Sequence, residues 1–450
     1  MGDFVISIIL AAGKGTRMKS NISKLMHKVN GQPMIVKLVN TLNKAGLKKN
    51  ILILGYLKEQ ILEVLDNEYV IQEEQLGTGH AVIIAKNKIL ENDDDILICN
   101  GDGPLLTVET INKMKEKFEK DSLDCLILSC EVNNPFGYGR IIKENGKVTN
   151  IIEEVDATVE QKNIKEINAG VYLFKKTSLL SILDKFNNDN KKGEYYLTDA
   201  VKLLNEEKLK VDSLVLEDEK EMLGVNSKSQ LAEVSKILRE RKNEELMKNG
   251  TILIDPNNTY IEEDVVIGED TIIYPNVYIE KGTRIGNNCI IHSGTRIENS
   301  IIGNNVTIDN SVVELSVIED NVSIGPFAHI RPNSLLKEKS KIGNFVEIKK
   351  ATLHKGVKCG HLTYVGDSEI GENTNIGAGT ITCNYDGSKK HKTNIGKNCF
   401  IGSNSIIVAP VEIGENVLTA AGSVITKDIP NDSIAFGRAK QVNKIGMNKK

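Results

Sequence analysis

An isoleucine stands at every sixth position from Ile261 to Ile297: Ile261, Ile267, Ile273, Ile279, Ile285, Ile291 and Ile297. Two residues before six of these stand small or β-branched residues: Val265, Thr271, Val277, Thr283, Cys289 and Thr295. Gly268 and Gly286 follow two of the rungs. A helix needs a period near 3.6 and a strand a period of 2; six satisfies neither. It fits a parallel β-helix of hexapeptides, whose coils stack one aliphatic rung on the next. A single coil cannot bury its own apolar face, so only stacking makes such an array stable. The ladder resumes at Ile302 and Ile308 after one step of five. It then loosens, returning as Ile370 and Ile376 and again as Ile395, Ile401, Ile407 and Ile413. With about 18 residues per three-sided coil, this predicts roughly ten coils within a domain at 251–450. Residues 1–227 lack the period and are expected to form a separate domain, joined through a helical linker at 228–250.

A core of Ile, Val and Leu suits that solenoid, in a chain 40% hydrophobic but only 4% aromatic and without Trp. The formal net charge of −4 gives no reason to expect nucleic acid or an anionic membrane as partner. Seven scattered cysteines without a C-x-x-C pair read as those of a reducing, cytoplasmic protein. Asp3 precedes a short apolar run with no basic region, so no signal peptide is expected. No apolar stretch reaches the ~18 residues of a membrane span. The basic tail from Lys444 to Lys450 is expected to be solvated.

In the N-terminal domain, Phe4 to Leu10 reads as a buried strand running into Ala11-Ala12-Gly13-Lys14-Gly15-Thr16-Arg17-Met18. Strand, Gly-rich loop and helix open a nucleotide-binding α/β fold, because glycines let backbone N–H groups approach phosphate. Lys14, Arg17 and Lys24 add cations for a triphosphate. The spacing matches neither the P-loop nor the dinucleotide fingerprint. Asp95 to Cys99 reads as a second buried strand, ending at Asn100-Gly101-Asp102. A carboxylate at the carboxyl end of a parallel strand lies where open α/β sheets bind ligands. Asp102 therefore reads equally as a Mg²⁺ ligand or as a turn or helix-cap aspartate. Gln72 and Gly77-Thr78-Gly79-His80 read as a ligand-facing turn, or as a tight turn before a helix over 79–90. Helical patterns near 33–48, 57–66, 107–119 and 197–207 alternate with strands near 51–54, 125–130 and 170–174. That alternation predicts a Rossmann-like, mostly parallel sheet.

Leu10 to Met18 followed by Lys24, Glu74 to His80, Gly137-Tyr138-Gly139-Arg140, Glu166-Ile167-Asn168 and Gly193-Glu194-Tyr195-Tyr196 resemble the sugar-nucleotide pyrophosphorylases. With a hexapeptide domain of this length, essentially the whole chain resembles a bifunctional family. Its members join N-acetylglucosamine-1-phosphate uridyltransferase to glucosamine-1-phosphate N-acetyltransferase. The resemblance implies that Leu10, Ala11, Ala12 and Gly13 contact the uracil and ribose of UTP and Lys24 its phosphates. It implies that Gln72, Gly77 and Thr78 read the base, with Asn100 and Gly101 also at the nucleotide-sugar site. Gly139, Glu153 and Asn168 would hold the sugar, Asp102 and Asn226 would bind Mg²⁺, and Arg17 would stabilise the departing pyrophosphate. Nucleotidyl transfer asks mainly for positioning, cations and a metal, which such residues supply. The chain departs from the family pattern at Ser23 (usually Pro), Asn100 (an aromatic), Gly103 (a larger residue), Val155 (a basic residue) and Ala169 (Thr). None of these removes a phosphate or metal contact; they bear on sugar discrimination.

Ser227 to Gly250 carries Leu231, Val234, Ile237, Leu238 and Leu246 among many charges, an amphipathic helix ended by Gly250. It reads as a strut, and its few turns are too short to favour a coiled coil.

A solenoid is by itself a scaffold, and function is expected from residues that interrupt it. Two interruptions are read. One runs through Arg331-Pro332, Glu347-Ile348-Lys349-Lys350 and Gly360-His361-Leu362-Thr363-Tyr364; the other spans Asn384 to Lys392. His361 is the candidate general base, able to take a proton from an ammonium that must become a nucleophilic amine, with Glu347 to orient its ring. A lone histidine is more often structural; the match of Gly360 to Tyr364 to the family carries the assignment. The resemblance further implies that Arg331, Lys349, Tyr364 and Asn375 hold glucosamine 1-phosphate. It implies that Ala378, Asn384, Tyr385, Ser403, Ala421 and Arg438 contact acetyl-CoA, with Ser403 placed to stabilise the thioester oxyanion. Lys390 lies in the loop expected to close over the site, although Lys389, Lys390 and Lys392 read equally as a solvated loop tip. Left-handed coils, homotrimers and acetyl sites at subunit boundaries are likewise implied by the resemblance alone.

The expected activities are acetylation of glucosamine 1-phosphate from acetyl-CoA, then Mg²⁺-dependent transfer of UMP from UTP to the product. The product, UDP-N-acetylglucosamine, would feed cell-envelope synthesis. A pyrophosphorylase for another sugar with a purely architectural solenoid is the first rival. A non-catalytic binding protein is the second.

Overall fold

The computed structural model describes residues 5–445 and 447. Asp3 and Phe4, and the end of the basic tail, lie outside the described residues. The chain divides into two compact units, 1–238 and 239–450. The division falls inside one continuous helix, Lys228–Lys248. Val234, Ile237 and Leu238 of that helix join a core of the first unit, and Leu246 joins the core of the second.

In the first unit, Val5–Ala11, Asn50–Leu54 and Tyr69–Ile71 extend one side of a sheet, and Asp95–Asn100 pairs with the other edge of Val5–Ala11; all these pairings are parallel. Beyond Asp95–Asn100 lie Glu166–Phe174, Cys125–Glu131 and Val211–Val215. Side chains alternate across a strand, and both faces here are covered, which explains the unbroken apolar runs. Ile6, Ile8, Ile51, Ile53, Ile96 and Ile98 enter one core; Ile9, Ala11, Leu52, Leu54, Leu97 and Cys99 enter the other. The sheet is mostly parallel, as expected, with one exception inside it. Glu166–Phe174 runs antiparallel to both neighbours, because the hairpin Arg140–Glu144/Lys147–Ile152 leads into it in place of a helical crossover.

Three expectations are corrected. The Gly-rich loop leads not into an α-helix but into 3₁₀ turns at Thr16–Met18 and Lys24–Met26; the first α-helix is Met34–Lys44. The left-handed residues Gly15 and Lys19 bound the first turn, and Ser23 is extended, so helical geometry cannot propagate. The helix expected over 79–90 is two, Thr78–Ile84 and Lys86–Leu90, and the one expected over 57–66 is confined to Lys58–Leu62.

The second unit is a left-handed parallel β-helix, its three walls being parallel sheets of 11, 10 and 9 strands. The rungs form a single core from Leu253 to Ile429. The ladder does not loosen after Ile308. It continues through Val313, Ile318, Ile324, Ile330, Leu336, Ile342, Ile348, Leu353, Cys359 and Val365, all buried. Substitution of Val, Leu and Cys for Ile, with further steps of five, hides it from a search for isoleucine. The first of the two expected interruptions is therefore not one: His329–Ile330, Glu347–Lys349 and Lys358–His361 are ordinary strands in register. Only the second leaves the coil, between the rung positions Thr382 and Ile395.

Candidate active sites

Two cavities of the first unit meet at Asn100 and Asp102. One, of ≈ 330 Å³, is lined by Leu10, Ala11, Ala12, Gly13, Gln72 and Thr78 among others, which places the expected UTP residues around one space at the carboxyl ends of the parallel strands. The other, of ≈ 260 Å³, is lined by Gly139, Glu153, Asn168 and Asn226 among others. At the junction the Lys24 ammonium donates to Asp102 Oδ2 at 2.5 Å and to Asn226 Oδ1 at 3.0 Å. A carboxylate and an amide oxygen thus converge on one cation at the boundary between the pockets. Asn226 is held there because its N–H donates to Gln230 Oε1 at 2.9 Å, while Gln230 N–H donates to Ser227 Oγ at 3.2 Å. Gly101 is buried behind the strand end, its N–H donating to the Leu10 carbonyl at 2.9 Å. Arg17 sits exposed on the 3₁₀ turn after the loop and lines neither cavity.

One glycine of the site is required by space, and a second is closely packed. A Cβ on Gly77, whose φ is +112°, would lie 2.4 Å from the Tyr195 carbonyl oxygen, and one on Gly139 would lie 3.1 Å from Ile151 Cγ2 and 3.5 Å from Glu153 Oε1. At Gly139 the Ile151 methyl would have to give by a few tenths of an ångström, while the contact with Glu153 would be ordinary. Asn168 is oriented from both ends, donating to Tyr172 Oη at 2.7 Å and accepting from Gly170 N–H at 3.0 Å.

Burial raises the Glu153 pKa above its ordinary value of 4.5, opposed by a hydrogen bond from Thr198 Oγ1 at 3.2 Å. The folded state thus prefers the neutral acid, so stability present at low pH is lost as pH rises from 4.5 through the raised value. Glu153→Gln keeps the shape and an acceptor for Thr198 while removing the charge. The variant is expected to melt a few degrees higher than the wild type at pH 7.5, with the gap closing near pH 4. Its KM for the sugar phosphate should rise. A melting temperature lowered at pH 7.5 would contradict this account of the site.

In the second unit, Arg331 and Lys349 occupy equivalent positions on successive coils of one face, and Glu347 and Tyr364 stack beside them. Glu347 does not orient His361: its carboxylate accepts from Arg331 Nη1 at 2.6 Å, and the two residues lie on strands of different faces. The close approach of the Lys390 ammonium, reinforced by Arg331, holds the Lys349 pKa below that of an ordinary lysine. A cation cluster of this kind favours an anion among its members. Asn375 is on the adjoining face, between Lys358 and Phe400, so one chain does not bring it onto the face of Arg331, Lys349 and Tyr364. The corner between these faces carries a column. Backbone hydrogen bonds link Gly379 to His361, Asn404 to Ala378 and Gly422 to Ser403, stacking His361, Ala378, Ser403 and Ala421 on successive coils. The His361 imidazole is exposed and hydrogen-bonds to no side chain among the described residues. Arg438 follows Gly437, whose N–H donates to Ser423 Oγ at 3.1 Å.

The loop after Thr382 is an exposed hairpin tied by its own hydrogen bonds. Tyr385 bridges Lys390, His391 N–H donates to the Asn384 carbonyl at 2.8 Å, and Asp386 accepts from Ser388, Lys389 and His391. Those donors hold the Asp386 carboxyl well below the usual range. Buried Asn384 donates to Asp367 Oδ2 at 2.6 Å and to Tyr364 Oη at 3.4 Å, tying the loop's root to the Tyr364 face. Lys392 pairs with Glu369 at 2.7 Å.

Sequence reading quoted Gln75 and Glu194 within its motifs without giving them a role, and passed over Ala81; all three line the cavity of Leu10 to Gly13. Thr198 and Gln230 were also passed over. Gln230 carried a local signal of its own, a Ser-x-x-Gln capping pattern from Ser227.

An α/β nucleotide-binding unit with a cation-bearing strand end, followed by a hexapeptide prism carrying basic and histidine positions, defines a nucleotidyltransferase joined to an acyltransferase. Family models agree. A MobA-like NTP transferase domain matches residues 7–199, a bacterial transferase hexapeptide 264–299, a GlmU-like C-terminal hexapeptide 292–377, and a hexapeptide repeat of succinyl-transferase 392–427. The bifunctional protein GlmU of Fervidobacterium nodosum is 50% identical over 449 residues, 98% of this chain and 97% of the relative. That of Caldicellulosiruptor saccharolyticus is 48% identical over 444 residues (98% and 96%), and that of Clostridium novyi 47% over 441 (97% and 96%). The chain belongs to the GlmU family of bifunctional proteins. It is an enzyme of UDP-N-acetylglucosamine synthesis, transferring an acetyl group from acetyl-CoA to glucosamine 1-phosphate and a uridylyl group from UTP to N-acetylglucosamine 1-phosphate.

Proposed function

We propose that uridylyl transfer takes place where the two cavities of the first unit meet, with Mg²⁺ held by Asp102 and Asn226. The observation that carries this is the Lys24 ammonium seated between Asp102 Oδ2 and Asn226 Oδ1. Two protein oxygens suit Mg²⁺, which keeps waters and takes substrate phosphates as its remaining ligands. When bound, the ion would neutralise charge on the phosphates. Lys24, released from Asp102, would turn to those phosphates, and Arg17 would meet the pyrophosphate as it leaves. Leu10, Ala11, Ala12, Gly13, Gln72, Gly77 and Thr78 would hold the uridine. Gly139, Glu153 and Asn168 would hold the sugar, so that its phosphate oxygen approaches the α-phosphorus in line. Asn226→Ala is expected to raise the Mg²⁺ concentration needed for half-maximal pyrophosphate release at least about tenfold, since even indirect support of a metal ligand is worth that much. An unchanged Mg²⁺ requirement would contradict the metal assignment.

For acetyl transfer, His361 would take the proton from the glucosamine ammonium; the resulting amine would attack the thioester carbonyl, the C–S bond would break, and coenzyme A would leave as the thiol, taking up the proton the nitrogen gives up. Arg331, Lys349 and Lys390 would hold the phosphate, with Glu347 positioning Arg331. The His361 column, with Asn384, Tyr385 and Arg438, would run along acetyl-CoA. The enzyme would act as a homotrimer, which supplies Asn375 to the site from another face. Phe327, Phe345 and Leu362 support this: they stack at one corner, 52%, 57% and 64% exposed, with φ of +58°, +56° and +47°. Bulky residues are costly in that conformation, and a second copy would bury them. The seven unpaired cysteines support a reducing, cytoplasmic setting.

A further inference from the structure

Gln72 lines the nucleotide cavity and is 4% exposed. Its Nε2 donates to the Gly77 carbonyl at 3.1 Å and lies 3.1 Å from His80 Nδ1. A carbonyl oxygen can only accept, so the end of the amide facing Gly77 must be the NH₂ group. Its second hydrogen then goes to His80 Nδ1, which must carry the lone pair. Gln72 Oε1 has no partner among the described residues, and it is absent from their buried, unpartnered atoms. Oε1 therefore keeps accessible surface, on a residue that lines the cavity. The frame around it is stiff. Gly77 packs against the Tyr195 backbone, Gln72 N–H donates to the Leu54 carbonyl at 2.7 Å, and the His80 ring lies in the first turn of Thr78–Ile84, 6.2 Å from that of Tyr195.

We propose that His80 is a specificity-determining residue of the nucleotide site: together with the Gly77 carbonyl it occupies both amide hydrogens of Gln72, so that the base meets an acceptor only. Uracil presents an N3–H donor to such an acceptor. Cytosine presents a bare N3 lone pair at the same place, which would face Oε1 with repulsion. Were the amide free to turn, its NH₂ group would satisfy cytosine equally well. His80 does not touch the substrate; it acts through Gln72 as a positioning residue. The inference rests on the reading that Gln72 contacts the base.

The test compares kcat/KM for UTP and for CTP in the full-length enzyme and in His80→Leu, His80→Gln and Gln72→Ala, with circular dichroism and thermal melting as the measure of intact folding. His80→Leu is expected to lower the UTP/CTP ratio about five- to tenfold, the worth of one neutral hydrogen bond. His80→Gln, which retains an acceptor, should keep most of the ratio, and Gln72→Ala should abolish most of it. A purely structural His80 would lower both nucleotides alike. A collapsed ratio in Gln72→Ala with an unchanged ratio in His80→Leu would overturn the proposal. An unchanged ratio in Gln72→Ala would overturn the underlying reading of the base, and the proposal with it.

Discussion

Asp102→Ala is expected to lower uridylyl transfer about 10³-fold while acetyl transfer continues at the wild-type rate. Asp102 offers its Oδ2 at the junction of the two cavities of the first unit, where Lys24 Nζ now sits 2.5 Å away. Without the carboxylate only the Asn226 amide oxygen remains for a metal, and the Lys24 ammonium loses its counter-charge. Loss of a metal's charge stabilisation is worth several kcal/mol, and each ~1.4 kcal/mol is tenfold in rate. The measurement is pyrophosphate release from UTP and N-acetylglucosamine 1-phosphate, beside thiol release from acetyl-CoA and glucosamine 1-phosphate. A variant that still releases pyrophosphate at a tenth of the wild-type rate or better would remove Asp102 from the metal site.

His361→Ala is expected to produce the mirror image: thiol release falls about 10²–10⁴-fold, the usual worth of a general base, and pyrophosphate release from preformed N-acetylglucosamine 1-phosphate is unchanged. The imidazole is exposed and hydrogen-bonds to no side chain among the described residues, in a column that continues through Ala378, Ser403 and Ala421. No hydrogen bond or ion pair of its side chain supports the fold among the described residues, so the loss should appear in kcat without a drop in melting temperature. Undiminished thiol release would remove His361 from the chemistry. Loss of activity together with loss of stability would make its role structural.

The sequence announced the solenoid because a rung position tolerates few side chains and recurs at fixed spacing. It hid the middle coils where Val313, Leu336, Cys359 and Val365 serve as rungs in place of isoleucine. The supposed break from Arg331 to Tyr364 was a break in residue type only; its outward-facing charges ride on an intact ladder. The Gly-rich loop was legible as the turn that follows the first strand, but the 3₁₀ turns after it depend on left-handed Gly15 and Lys19, which periodicity does not register. The meeting of Lys24 with Asn226, 202 residues apart, has no local signature. Nor does the choice of Glu347 to bind Arg331 over His361, since that follows from which wall of the prism each strand joins. Asn375 illustrates the same limit: its spacing puts it in a coil, and only the stacking shows which face it occupies.

The most direct test of two separate sites acting in sequence is one reaction containing glucosamine 1-phosphate, acetyl-CoA, UTP and Mg²⁺, with thiol and pyrophosphate followed independently. The wild type should release both, and pyrophosphate should appear only when acetyl-CoA is present. Asp102→Ala alone should release thiol only, and His361→Ala alone neither product at an appreciable rate. The two variants mixed should restore both. Pyrophosphate release from glucosamine 1-phosphate without acetyl-CoA, as fast as with it, would contradict the ordered, two-site account.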